Sequence, residues 1–278
     1  MFEKVMVATD FSACAEQLWD CLGEFSSLGT KEIVLMHAVP LTPPARFVDQ
    51  ARVRLEERKL EVESQGFTAK IVVQVGQAPQ EINSVAVKEQ VDLVLVGAKG
   101  ENRIREVFLG NTVRDLIRTS KKPVLIEKFK NARGKWMPVC SRKFERVLLP
   151  TDFSEASMRV FSLVKDRLAP KIAEAILIHV VDSGHTEDLL EVRRAEAGDR
   201  LNAMRQNLED AGVKSSICIR VGIPSEHIIK TAREEAVTSV MIATRGAGSI
   251  KELLLGSTAE NVVRRCTRPI LLFPGKNL

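Results

Sequence analysis

The chain has 278 residues, 45% hydrophobic and 28% charged, with a formal net charge of +5 at pH 7. These are values of an ordinary globular protein with length for about two domains, and the modest positive charge favours anionic ligands without singling out nucleic acid. Tyrosine is absent and aromatic residues are 5% of the chain, which argues against base-stacking platforms for RNA or single strands; no apolar run reaches the length of a membrane span.

In chain order, residues 5–8 read as a buried strand, 14–28 as a helix stopped by Gly29, and 32–38 as a second strand. Residues 45–65 carry a long, charged helical pattern, 69–75 a third strand, and 79–89 a helix whose early Pro79 suits a first turn. The unbroken apolar run 93–96 is expected of a parallel strand covered on both faces. A helix over 106–120 and a strand over 123–127 come next. Residues 129–143, with Gly134 and Pro138 among basic residues, read as a linker, and Trp136 and Met137 suggest that it packs. The alternation then returns, with strands near 146–150, 174–181, 216–221, 239–243 and 269–273. A long helix over 186–211 opens on Glu187 and Asp188, acidic residues that suit a helix N-terminus. Such alternation implies an α/β class with right-handed crossovers: two tandem Rossmann-like domains, 1–128 and 144–278, each an open five-stranded parallel sheet flanked by helices.

The two halves repeat one another in detail. Thr9-Asp10-Phe11-Ser12 returns as Thr151-Asp152-Phe153-Ser154, His37 as His179, and Gly76 with its following proline as Gly222 with Pro224. Gly97-x2-Gly100-x9-Gly110-Asn111-Thr112 returns as Ala243-x2-Gly246-x9-Gly256-Ser257-Thr258. A set of motifs recurring in the same order marks a duplicated domain.

The spaced glycines come after an apolar strand and precede a helix. Ligands bind at the carboxyl ends of strands in open α/β sheets, and glycine there permits close backbone approach or a positive φ. The backbone N–H groups after Gly110 and Gly256 would form an anion site at a helix N-terminus. Asp10 and Asp152 end a first strand, where a carboxylate can accept from ribose hydroxyls or a base amine; Ser12 and Ser154 are the better helix caps. His37 and His179 lack a neighbouring Ser or Cys nucleophile with an orienting group, so they read as hydrogen-bonded buried side chains. No Walker loop is present, Gly246-Ala247-Gly248 lacks the later glycine of a dinucleotide fingerprint, and no His/Cys/carboxylate set has metal-ligand spacing. Lys121-Lys122 and Arg264-Arg265 fall near helix C-termini, where they complement the helix dipole. The five cysteines form no C-x-x-C pair and read as reduced thiols. With no secretory pattern after Met1, the expected location is cytoplasmic.

On these residues both halves resemble the universal stress protein family, whose nucleotide-binding members carry G-x2-G-x9-G-[ST]. The resemblance implies binding of ATP or AMP, with Mg²⁺ as an optional companion, in a stress-response or regulatory role. It also implies dimer-like packing through the last strand, so that the halves form an internal pseudo-dimer, with a homodimer as the expected assembly. No membrane or nucleic-acid partner is implied. Carried over to the first half, the contacts would be Thr9 and Asp10 near ribose and adenine, Ala38 at the adenine edge, and Gly97, Gly100, Gly110, Asn111 and Thr112 around ribose and phosphates. In the second they would be Pro150, Thr151 and Asp152, then Val180, and then Ala243, Gly246, Gly256, Ser257 and Thr258. Each half departs from the pattern once. Asn111 replaces Ser or Thr, and Ala243 replaces the first glycine, where a methyl would crowd the ribose or forbid a positive φ. The intact Gly256-Ser257-Thr258 favours the second half for phosphate. A nucleotide-free scaffold with decayed sites and a slow ATPase are the alternatives.

Overall fold

The computed structural model describes residues 2–42, 44–98, 109–184, 186–246 and 255–275. The chain divides into two compact units, Met1–Ser141 and Arg142–Leu278.

In the first unit β1 (Lys4–Ala8) leads through a 3-10 helix (Ala15–Cys21) into α1 (Leu22–Ser27). Then come β2 (Glu32–Val39), α2 (Ala45–Ser64), β3 (Thr68–Val75), α3 (Ala78–Lys88), β4 (Leu93–Gly97), α4 (Asn111–Thr119) and β5 (Val124–Glu127). These five strands run parallel in the order β3-β2-β1-β4-β5. Val5, Met6 and Val7 of β1 and Leu93, Val94 and Leu95 of β4 are fully buried, as strands with helices on both faces require. A hairpin of β6 (Phe129–Ala132) and β7 (Lys135–Pro138) closes the unit, with β7 packed on the 3-10 helix.

The second unit repeats the plan. It runs β8 (Arg146–Pro150), α5 (Glu155–Leu163), β9 (Glu174–Val181), α6 (Glu187–Asp210), β10 (Lys214–Val221), α7 (Pro224–Glu234), β11 (Ser239–Ala243), α8 (Ser257–Arg265) and β12 (Ile270–Phe273). Its strands are parallel in the order β10-β9-β8-β11-β12. In both units the chain builds outward on one side of the first strand, then crosses to the other side. That reversal opens a crevice beyond the carboxyl ends of the first and fourth strands.

Three expectations are corrected in detail. The single helix expected over 14–28 is a 3-10 helix running into α1, because Ala15, Leu18 and Cys21 are buried at a period of three, the repeat that a 3-10 helix aligns. The stretch expected as a linker holds the β6–β7 hairpin. Its turn uses positive φ at both Arg133 (+55°) and Gly134 (+83°), as a tight two-residue hairpin turn requires. Asn131 Oδ1 accepts the Gly134 N–H at 2.9 Å and steadies that turn. The helix expected from residue 106 is described as Asn111–Thr119; residues 106–108 lie outside the described residues.

Candidate functional site

The Thr-Asp-Phe-Ser segments leave β1 and β8 as self-wired turns. In the second unit Thr151 Oγ1 accepts the Phe153 N–H (3.0 Å) and Asp152 Oδ1 accepts both the Ser154 N–H (3.1 Å) and its hydroxyl (2.6 Å). In the first, Thr9 Oγ1 accepts the Phe11 N–H and Asp10 Oδ1 accepts the Ser12 N–H, both at 3.0 Å. Short polar side chains bonding to backbone two residues on are ordinary turn chemistry. The serines then cap the helical segments beyond the turns: Ser154 Oγ accepts the Ser157 N–H of α5 (3.3 Å) and Ser12 Oγ the Ala15 N–H (3.2 Å). One oxygen of each aspartate is therefore committed locally.

His37 and His179 are half-buried, and each places Nδ1 at 2.8 Å from a carbonyl, that of Thr9 or Thr151. Since a carbonyl only accepts, Nδ1 carries the proton. Burial pushes the His37 pKa below its ordinary value; its bond to Thr9 and the charge of Asp10 oppose the shift, and the Arg54 charge adds to it. The rings pack on the turn phenylalanines, tilted by 33° at 4.4 Å for Phe11–His37 and stacked at 4.5 Å for Phe153–His179. Both phenylalanines have a left-handed backbone, φ +58° and +60°.

Thr9 N–H donates to Met36 C=O, and Ala8 pairs in register with Met36 and Val96. That register puts Thr9, Asp10, Ala38 and Gly97 at one sheet edge. The Gly110 N–H donates to Ala98 C=O (3.0 Å), which brings Gly110, Asn111 and Thr112, the start of α4, to the same edge. Gly100 lies outside the described residues. In the second unit the Gly256 N–H donates to Thr244 C=O (2.7 Å) and draws α8 to the end of β11.

All nine residues expected for the second unit line one cavity of about 720 Å³: Pro150, Thr151 and Asp152, then Val180, Ala243 and Gly246, and then Gly256, Ser257 and Thr258. The first residues of α8 are part of this lining, and their N–H groups have no acceptor within the helix. Ile178 and Val180 of β9 with Pro224 and Ile228 of α7 give the cavity an apolar slot. Asp182 stands at its rim and binds the Gly184 N–H through Oδ1 (3.0 Å). The motifs do not mark Asp182 or Ile228. Strand alternation does point to Asp182, since 178, 180 and 182 share one face of β9 and its continuation.

The described glycines of the motif do not use left-handed backbone. Gly97 and Ala243 are strand residues, and Gly110 and Gly256 have φ −61° and −74°. The expected conflict of Ala243 with a positive φ therefore does not arise. Gly246 needs its missing side chain most: a Cβ there would lie 2.3 Å from Asp152 Oδ2. Among the described residues, no cluster of three or more His, Cys, Asp or Glu is arranged for a metal ion, and no helix is long and apolar enough to cross a membrane.

Tandem parallel α/β units, each with a strand-end crevice facing a glycine-capped helix, define the class of protein. The chain belongs to the Universal stress protein family, whose model matches residues 1–128 and 143–274. A universal stress protein of Methanocaldococcus jannaschii is 31% identical over 157 residues, 48% of this chain and 97% of that one. One of Mycolicibacterium smegmatis is 23% identical over 293 residues, with 96% of both chains covered. The crystal structure of a universal stress protein from Archaeoglobus fulgidus superposes with a TM-score of 0.74 at 25% identity, covering 99% of this chain and 97% of that one.

Proposed function

We propose that this protein is an adenosine-nucleotide-binding regulatory module of its family and that the second unit holds ATP or AMP. The observation that carries the reading is the cavity, about 720 Å³ and within the range of small-ligand sites, lined both by an apolar set and by a helix N-terminus. A base fits the slot formed by Ile178, Val180, Pro224 and Ile228. Phosphate oxygens fit the N–H groups and hydroxyls of Ser257 and Thr258, with the helix dipole favouring their charge. Asp152 lines the same cavity, with Oδ2 close to Gly246, and its carboxylate can accept from a sugar hydroxyl. The choice of adenosine follows the family pattern of spaced glycines. Among the described residues no carboxylate set is arranged for Mg²⁺, so the ion would ride on the phosphates of the nucleotide. Binding would act by favouring whichever conformation or assembly holds nucleotide more tightly.

The test is to denature purified protein, identify any released nucleotide by mass, and titrate the emptied chain with ATP and AMP. The expected result is bound adenosine nucleotide, or a thermal stabilisation that grows as RT ln(1 + [L]/Kd). A chain that releases none and gains no stability at millimolar ATP or AMP would instead be a nucleotide-free scaffold.

A further inference from the structure

We propose that in each unit an arginine–phenylalanine–histidine stack, on the sheet face away from the crevice, is a positioning device for the aspartate of the ligand site. Arg200, Phe153 and His179 set Asp152; Arg54, Phe11 and His37 set Asp10. The proposal rests on the nucleotide-binding reading for its consequence, though not for its geometry.

His179 alternates along β9 with Ile178 and Val180, which line the cavity, so its ring lies on the opposite face. There the imidazole packs on one side of the Phe153 ring at 4.5 Å, and the Arg200 guanidinium, from α6, lies 3.9 Å from the ring centroid. The first unit repeats this at 4.4 Å for His37 and 4.2 Å for Arg54 of α2. The same histidines hold the carbonyl of Thr151 or Thr9 at 2.8 Å. Asp152 is thus pinned on both sides: Thr151 is tied to β9 through its carbonyl, and Phe153 is held through its ring. Oδ1 is bound to Ser154, and Oδ2 lies close to Gly246 at the cavity that Asp152 lines.

A bulky residue in the left-handed region is strained, and glycine would make the same turn without that cost. Phenylalanine at φ +60° therefore contributes something glycine lacks, namely a ring by which the turn can be held. Arg54 and Arg200 are exposed, and exposed neighbours differ between the units, Val53 against Asp199 and Glu56 against Asn202, while the buried Leu55 and Leu201 agree. Among those three exposed positions, only the stacked one keeps its residue.

The experiment uses the full chain carrying Gly110→Val, so that calorimetric titration with ATP or AMP reads the second site. Arg200→Met is expected to weaken binding about two- to five-fold, the scale of a cation–π contact at an exposed position. Arg200→Lys should restore part of the loss, and Phe153→Gly should cost more than either. Each loss should vanish when Asp152→Ala is already present, because the stack acts through that carboxylate. Unchanged affinity in both Arg200→Met and Phe153→Gly, or a loss that persists undiminished without Asp152, overturns the proposal. A second arm needs no nucleotide: amide exchange at Ser154, whose N–H is held by Asp152, should quicken in ligand-free Arg200→Met and Phe153→Gly. Unchanged exchange overturns the stack as a positioning device even in a chain that binds no nucleotide, whereas quickened exchange in such a chain sustains it and removes only the nucleotide reading.

Discussion

Asp152 and Gly246 constrain one another at the residue scale. A methyl on Gly246 would meet Asp152 Oδ2 at 2.3 Å, and the carboxylate has little room to yield because Oδ1 is bound to Ser154. Gly246→Ala should therefore turn Asp152 out of its place. The expected cost is about tenfold in nucleotide affinity, the size of one lost charge-assisted hydrogen bond of ~1.5 kcal/mol. Calorimetry on Gly246→Ala, alone and with Asp152→Ala, checks this; two losses that simply add would show that the glycine acts some other way. His37 gives a pH dependence. Burial first of all holds its pKa below the ordinary 6.5, so as pH falls the unfolded chain takes the proton before the folded one. Its contribution to stability is whole above about 6.5 and is lost as pH drops through the lowered folded value. His37→Asn, which keeps a donor for Thr9, should flatten the decline in urea-unfolding stability between about pH 7 and 5. An unaltered slope would assign the decline to other groups.

At the scale of elements, the amino ends of the strands carry a duplicated charge network far from the crevice. Lys4 of β1 meets Glu32 at 2.8 Å and Glu89 at 3.6 Å, and Lys70 meets Glu89 at 2.8 Å. In the second unit Arg146 meets Glu174 at 3.4 Å and Glu235 at 2.8 Å, with Lys214 beside Glu174 at 3.9 Å. The hydrogen bond from Lys70, with the charges of Lys70 and Lys4, holds the Glu89 carboxyl below its usual range against the opposing effect of burial. That contribution is present above the ordinary carboxylate pKa and is lost as pH falls through the lowered one. Lys4→Met leaves Glu32 and Glu89 without their shared cation and should cost about 1 kcal/mol, the upper range for partly exposed pairs. The urea midpoint should fall while nucleotide affinity stays the same, because the network and the crevice lie at opposite ends of the sheet. A drop in affinity with no drop in midpoint would contradict that separation.

What the sequence discloses at this scale depends on the range of the interactions. The Thr-Asp-Phe-Ser turns are legible because their bonds span two residues. The parallel strands are legible because double-sided burial writes an unbroken apolar run such as 93–96. The stacked Arg54 and Arg200 are not, since each reaches its phenylalanine from a helix that comes after the next strand, and no local pattern marks the contact. The β6–β7 turn is half legible: Gly134 announces it, but Arg133 at φ +55° is not a residue that advertises a left-handed position.

Over the whole molecule, duplication has given two crevices with the same turns and different walls. Gly97, Asn111 and Pro40 in the first unit stand where the second has Ala243, Ser257 and Asp182. Ser257 adds a hydroxyl beside the N–H groups at the start of α8, and Asp182 adds a carboxylate beside the apolar slot. Asn111 offers an amide in place of that hydroxyl, and Pro40 offers no polar side chain. A hydroxyl donor at a helix N-terminus suits phosphate, so the second unit should bind nucleotide more tightly than the first. Paired variants test this. At Gly256 a Cβ would stand 3.4 Å from Thr244 C=O, an ordinary contact, so valine is expected to leave the fold intact while its methyl groups crowd the start of α8. Gly256→Val should therefore remove the tighter class of sites in a nucleotide titration and leave the weaker one, and Gly110→Val should do the reverse. Equal affinities in the two single variants would mean that the differing walls do not grade the sites. Loss of all binding in either one would mean that the two units bind only as a pair.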